Sequence, residues 1–374
     1  MLLEYSRLLV NILRTNFSIP QWLAHEQAVD LLSPKPVITD PIERQKLYSQ
    51  RCKDLNAELL AGRDKHLTED IEIHNTRVEV EPYPGSLGPN PHFIPIRSYN
   101  PWSNPSGPSP VEFNEEKPQP EGSPIVIYWH GGGLYVGDLD SEDLTCRRIC
   151  KELQCTVYSC DYRLMPQHTA DAALEDAVTA FMRITASRKA SRLILMGSSS
   201  GGQLAAQVSQ VFPNSKAMHE CYKIHGVLLR SPVTCNATDD GEDLPERFKA
   251  LHTSMSPAFH TSLLSAPAVN SANRTGKELP LEAYDLSGMP RHWIQVCTND
   301  IYYSDGVCYA MLLKQGGVDV KLDVVEGWPH TFWLKAPYLE RAVKAEKDMI
   351  EGLRWLLESE IEEGQEPNEE EEKQ

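Results

Sequence analysis

Positive charge is scarce in this chain. Its 36 Lys and Arg are outnumbered by 53 Asp and Glu, a formal net charge of −17. Phosphate backbones are bound through clustered Lys and Arg, so no nucleic acid is expected as a partner. Long apolar runs are missing too. No stretch approaches the roughly 20 residues needed to cross a bilayer, so no stable membrane insertion is expected. Leu2, Leu3, Leu8, Leu9, Ile12 and Leu13 are interrupted by Glu4, Arg7 and Asn11, and no small-residue cleavage site follows. This does not read as a secretory signal. Its helical period and single oily face predict a cap helix, with reversible attachment to a membrane surface as the alternative. Paired cysteines are absent as well. The nine cysteines are odd in number and scattered singly, and Cys146 and Cys150, neighbours on a helix, have no second pair to complete a zinc site. Free, buried thiols in a reducing, cytoplasmic compartment are expected, and no metal or organic cofactor is called for.

What is present is a large apolar fraction, 41% of 374 residues, enough for one extensive core. Residues 1–68 alternate helical patches with Pro20, Pro34, Pro36 and Pro41, and read as the N-terminal part of a helical cap. Ile71, Ile73, Val78 and Val80 predict a strand or hairpin, and Phe93 to Ile96 another. The Pro- and Ser-rich stretch between Pro84 and Pro124 is an exposed insertion at an antiparallel edge. From Ile125 strands alternate with helices. Ile125–Trp129, Thr156–Ser159, Leu193–Met196, Val227–Leu229, Trp293–Val296 and Val318–Val325 are separated by helical stretches around Asp143–Leu153, Leu174–Thr185, Gly202–Phe212 and Gly306–Leu313. Leu339–Leu357 is the last helix. Such alternation specifies an α/β fold, a mostly parallel sheet with helices on both faces. The core runs over 69–357. Residues 239–286 break the rhythm and read as a second cap piece, and 358–374 as an acidic disordered tail.

The chemistry is concentrated in three places. Gly197-Ser198-Ser199-Ser200-Gly201 follows four apolar β-formers and precedes an Ala-rich helix. Gly-x-Ser-x-Gly in that strand–turn–helix setting is a nucleophile elbow, and Ser199 is central between its glycines. The helix that begins there directs its positive end at developing negative charge. Upstream, His130-Gly131-Gly132-Gly133 follows a strand directly. Consecutive glycines let amides approach a substrate oxygen, so the N–H groups of Gly131 and Gly132, with that of Ser200, are the expected oxyanion hole. A phosphate loop does not match, because neither Lys-Ser/Thr nor G-x-G-x-x-G is present. His130 is expected to shape this loop, since the base of the triad comes last in the chain order Ser, Asp, His. Asp300 closes a strand, whereas its competitor Asp305 precedes a helix and reads as an N-cap. His330 follows the last strand and is the last histidine in the chain. Ser199, Asp300 and His330 are the expected nucleophile, orienting acid and base.

Together, His130 to Gly133, Asp161-Tyr162-Arg163-Leu164-Met165-Pro166, Gly197 to Gly202, Asp300 to Gly306 and Gly327 to Phe332 resemble the hormone-sensitive-lipase-like (fold-3) branch of the α/β-hydrolases, over about Ile125 to Leu357. The resemblance implies a carboxylesterase with an N-terminal helical cap, a small-molecule ester substrate and the site roles just given. The chain departs from the branch at Ser198, where an acidic residue is usual. It departs again at Ile301, Tyr302 and Ser304 after the acid, where Pro-Leu-Arg is usual, and at Thr331 after the histidine, where Gly is usual. Divergence of this kind is similar to esterases dedicated to one specialised metabolite, such as those of fungal biosynthetic pathways. Acyl transfer to an alcohol or amine, a non-catalytic small-molecule receptor and a lyase on the same scaffold are the competing readings. A homodimer is compatible with the sequence.

Overall fold

Short strands buried on both faces must be apolar at every position, and period two then sorts their side chains between two helix layers. The computed structural model has that arrangement. It describes residues 20–29, 38–81, 91–102, 123–187, 192–212, 223–235, 246–249 and 279–358. Eight strands form one sheet: β1 (Ile71–Val80), β2 (His92–Pro101), β3 (Ile125–Trp129), β4 (Thr156–Cys160), β5 (Arg192–Ser198), β6 (Lys223–Arg230), β7 (Arg291–Asn299) and β8 (Val320–Pro329). Their order is β1-β2-β4-β3-β5-β6-β7-β8. β1 and β2 are antiparallel, β2 is antiparallel to β4, and every pairing from β4 to β8 is parallel.

The described helices are α1 (Pro20–Ala28), α2 (Pro41–Ala61), α3 (Asp143–Leu153), α4 (Ala170–Ser187), α5 (Ser200–Val211), α6 (Glu246–Lys249), α7 (Tyr303–Gln315), α8 (Phe332–Lys335) and α9 (Glu340–Leu357). Ile125, Ile127 and Trp129 of β3, with Leu193 and Leu195 of β5, pack against Phe181 of α4, Leu204 of α5 and Val307 of α7. The alternate residues Val126, Tyr128, Ile194 and Met196 pack against Cys146 and Ile149 of α3 and Met349 and Leu353 of α9. Each large apolar side chain buried in this way contributes about 1.5–3 kcal/mol. A third cluster joins Trp22 of α1 to Trp328, Phe332 and Trp333 at the end of the last strand. None of the described cysteines forms a disulfide, and all but Cys52 are buried.

Two boundaries differ from the sequence reading. β2 extends to Pro101 despite Pro95. Asp161 N–H donates to the Pro95 carbonyl beyond the end of the β4 ladder at Ile96, so the missing N–H of Pro95 faces the same unladdered side and costs no pairing. Helix α7 begins at Tyr303 rather than Gly306, because the Asp300 carboxylate and carbonyl accept the N–H groups of Tyr302 and Tyr303 at 2.9 and 3.1 Å. Most of the proposed cap insertion at 239–286, the Pro-rich insertion after β2, the first helical patch and the acidic tail lie outside the described residues.

The topology also fixes where a site can form. The chain passes from β3 to β4 in one direction and from β4 over to β5 on the other side of β3. Helices therefore leave the C-terminal ends of β3 and β5 on opposite faces, and the crevice between them is the switch point where α/β sheets bind ligands. Both Gly-rich motifs emerge there.

Candidate active site

At the end of β5 the backbone turns sharply through Ser199, at φ 52° and ψ −120°, a region that non-glycine residues seldom occupy. The turn is clamped on both sides. Ser199 N–H donates to the Arg230 carbonyl at 2.8 Å, and the Ser199 carbonyl accepts from Gln203 and Val233 at 3.1 and 3.3 Å. The motif glycines are required by contact. A Cβ on Gly201 would stand 2.0 Å from the Trp129 carbonyl oxygen, and one on Gly197 would stand 2.2 Å from that of Gly201.

Ser199 Oγ lies 2.8 Å from His330 Nε2, and His330 Nδ1 lies 2.7 Å from Asp300 Oδ2. The structure thus brings together three side chains placed by β5, β7 and β8. Asp300 and Ser199 are buried, while the His330 side chain keeps 23% of its exposure. The Tyr302 ring meets the imidazole edge-on at 5.1 Å, and burial pushes the Tyr302 phenol up. Because the Asp300 carboxylate oxygen can only accept, His330 Nδ1 carries the proton and Nε2 is left to accept from Ser199.

Asp305 is not the N-cap it was expected to be. It lies inside α7, fully buried, and its carboxylate accepts the N–H groups of Thr234 and Cys235 at 2.8 and 3.1 Å. With the helix already started by Asp300, Asp305 instead fastens the segment after β6.

The Gly-rich loop requires a second correction. Gly131 was expected to supply an oxyanion donor, but its N–H donates to Glu142 Oε1 at 2.9 Å. An amide has one proton to give, and this one is committed. Among the described residues, the N–H groups of Gly132 and Gly133 donate to no partner. Gly132 has φ 124°, and a Cβ there would stand 1.9 Å from the Val136 carbonyl oxygen, so no other residue fits. Ser200 opens α5, where N–H groups lack intrahelical acceptors. Its hydroxyl is occupied instead, accepting from Leu134 N–H at 3.3 Å and touching Tyr162. His130 is buried and stacked on Tyr162 at 4.4 Å, away from the triad. Burial opposes its protonation, yet the Asp161 carboxylate and the Gly131 carbonyl hold its pKa above the ordinary imidazole value.

Two groups escaped the sequence reading. Arg230, below the elbow, is completely buried. Its guanidinium pairs with Glu346 at 2.6 Å, bonds Gln295 at 3.0 Å and lies 3.9 Å over the Trp333 ring. Burial works against the Glu346 charge, but Arg230 and Arg148 outweigh it and hold that carboxyl below its usual range. Glu142 is the other. Nothing in the local sequence sets it apart from Asp138, Asp140 and Asp143 around the start of α3.

Comparison with known proteins decides the family. A family model described as the alpha/beta hydrolase fold matches residues 126–334, more than half of the chain. The chain belongs to the α/β-hydrolases. This α/β-hydrolase is 33% identical to "Carboxylic ester hydrolase LipN" of Mycobacterium tuberculosis over 220 residues, 56% of this chain and 57% of LipN. It is 27% identical to "Versiconal hemiacetal acetate esterase" of Dothistroma septosporum over 252 residues, 63% of this chain and 74% of that protein. The chain spans less than two thirds of some curated relatives it matches, 57% of LipN and 29% of an Aspergillus terreus protein named FAD-linked oxidoreductase pytB. Among solved structures, vibralactone cyclase superposes with a TM-score of 0.72 over 91% of this chain and 95% of that one, at 22% identity, a likeness of fold. Among the described residues of this α/β-hydrolase, no helix is long and apolar enough to cross a membrane.

Proposed function

We propose that this α/β-hydrolase cleaves a carboxylic ester of a small molecule through an acyl-enzyme on Ser199. The observation that carries the reading is the unbroken relay from Ser199 Oγ through His330 to Asp300, at 2.8 and 2.7 Å. His330 Nε2 takes the serine proton as Oγ attacks the ester carbonyl, and Asp300 holds the tautomer and stabilises the imidazolium. The amides of Gly132, Gly133 and Ser200 meet the oxyanion, with Gly133 replacing Gly131 in the set first expected. The imidazolium then protonates the departing alcohol, and water repeats the cycle in reverse to release the acid. The esterase names of LipN and the versiconal hemiacetal acetate enzyme agree with this chemistry.

The finer reading is an esterase for one specialised metabolite. The fungal relative named for versiconal hemiacetal acetate supports it, as do the chain's own residues at Ser198, Tyr302 and Thr331. A receptor that binds without turnover is less favoured, because a base aligned on the nucleophile is of no use to it.

A fluorophosphonate probe applied to wild type and Ser199→Ala, followed by an ester panel of graded acyl length, tests the proposal. Wild type is expected to be labelled and to turn over an ester, and the variant to do neither. Labelling that persists in Ser199→Ala would remove Ser199 from its role. Folded wild type that is neither labelled nor active would favour the receptor.

A further inference from the structure

The two halves of the site, the Gly-rich loop after β3 and the elbow after β5, meet at one carboxylate. Glu142 stands at the N-cap position of α3 and is 4% exposed. Its Oε1 accepts both the Gly131 N–H at 2.9 Å and the Ser198 hydroxyl at 2.5 Å. Its Oε2 accepts the Tyr128 hydroxyl from the end of β3. Burial and the Glu142 charge push the Tyr128 phenol well up, so that hydroxyl remains a donor. Among the described residues, no Lys or Arg pairs with Glu142. A buried carboxylate held only by neutral donors is costly to keep, and its side chain makes no capping hydrogen bond to α3.

We infer that Glu142 is the positioning residue of the oxyanion hole. Gly131 and Ser198 directly precede Gly132 and Ser199, so one carboxylate oxygen sets the distance between the loop that supplies the first oxyanion amides and the turn that supplies the nucleophile and the last. By taking the Gly131 N–H, Glu142 fixes the loop so that the Gly132 and Gly133 amides are left to face the developing oxyanion. Glu142 itself touches neither substrate nor the reacting atoms. An oxyanion hole acts through geometry held before the reaction begins, and this anchor spans the joint on which that geometry depends.

The inference rests on the ester-hydrolase reading, and the test separates the two. It measures kcat and KM, on an ester that wild type cleaves, for Glu142→Ala, Glu142→Gln and the double variant Glu142→Ala with Ser198→Asp. Oxyanion contacts strengthen only in the transition state, so Glu142→Ala is expected to lower kcat about 100-fold with KM within about twofold. Glu142→Gln keeps an acceptor oxygen for Gly131 and is expected to lose only about three- to tenfold. Ser198 Oγ stands 3.0 Å from where a Cβ on Gly131 would be, so an aspartate at 198 reaches the region of Glu142 Oε1. The double variant is therefore expected to recover at least about tenfold in kcat over Glu142→Ala. A structural prop would gain nothing from a carboxylate offered from another strand.

Wild type inactive and unlabelled would overturn the hydrolase reading. Active wild type with kcat unchanged in Glu142→Ala, or a double variant no better than Glu142→Ala, would overturn this inference alone. Should Glu142→Ala not fold, Glu142→Gln carries the test, and an unchanged kcat there overturns it.

Discussion

His292 is expected to make this protein lose stability in mild acid, well above the range where carboxylates titrate. It is fully buried on β7 and lies edge-on to Tyr309 at 5.8 Å. Its Nδ1 is 2.7 Å from the Pro290 carbonyl oxygen, which can only accept, so Nδ1 carries the proton. Among the described residues, buried Nε2 has no hydrogen-bond partner, and a second proton there would have nothing to bond. Burial lowers the folded-state pKa from 6.5 to about 4, against a smaller opposing effect of the Pro290 carbonyl. The unfolded chain takes up its proton near 6.5 and the folded protein only near 4. Between those values the unfolded state holds the extra proton, and stability falls as pH falls. This one residue accounts for almost nothing at about pH 7.5, about 2 kcal/mol by pH 5 and about 3 kcal/mol below pH 4. His292→Asn keeps an N–H for the Pro290 carbonyl and cannot ionise. Urea unfolding of both proteins at about pH 7.5 and pH 5 isolates the effect, because the other titrating groups are common to both. The variant is expected to lose about 2 kcal/mol less than wild type over that interval. Parallel pH dependence in the two proteins would refute the reasoning.

Asp300→Asn would present an amide N–H to His330 Nδ1, drive the imidazole proton to Nε2 and leave Ser199 without an acceptor. A fall in kcat of about 10⁴ is expected, with near-wild-type stability by thermal unfolding, since Oδ1 can still accept from Tyr302; a loss below about tenfold would mean His330 is not oriented through Asp300. Gly201→Ala would force a methyl to within 2.0 Å of the Trp129 carbonyl. It is expected to cost about 1–3 kcal/mol and to slow fluorophosphonate labelling through displacement of the elbow, and unchanged stability and labelling would show that the end of β3 and the start of α5 are not in close contact.

Much of this molecule could be read from local pattern. The apolar pentad Ile125–Trp129 and the run Leu193–Met196 had to be central strands, because only a sheet covered on both faces tolerates uninterrupted apolar residues. Gly197 and Gly201 around Ser199 marked the elbow, since both glycines answer to contacts made within the turn and just beneath it. Asp300 and His330 were legible from chain order and from their places after strands.

Other features were decided by groups that meet only in three dimensions. Asp305 looked like a cap because it precedes apolar helix-formers, but Asp300 had already started the helix, and Asp305 was left to fasten Thr234 and Cys235. Gly131 looked like an oxyanion donor because any of three glycines could serve. Which amides stay free depends on where Glu142, 11 positions away in sequence, places its oxygen. Arg230 closes β6 and is buried against Glu346 and Trp333 from the far end of the chain, partners that no local pattern announces. Sequence by itself determined the fold class and singled out Ser199, Asp300 and His330, the three side chains that the fold brings together, because these follow from periodicity and turn sterics that neighbouring residues impose. Tertiary structure alone decided which hydrogen-bonding groups are spent and which remain available, because each donor has one proton to give and its claimant comes from a distant part of the chain.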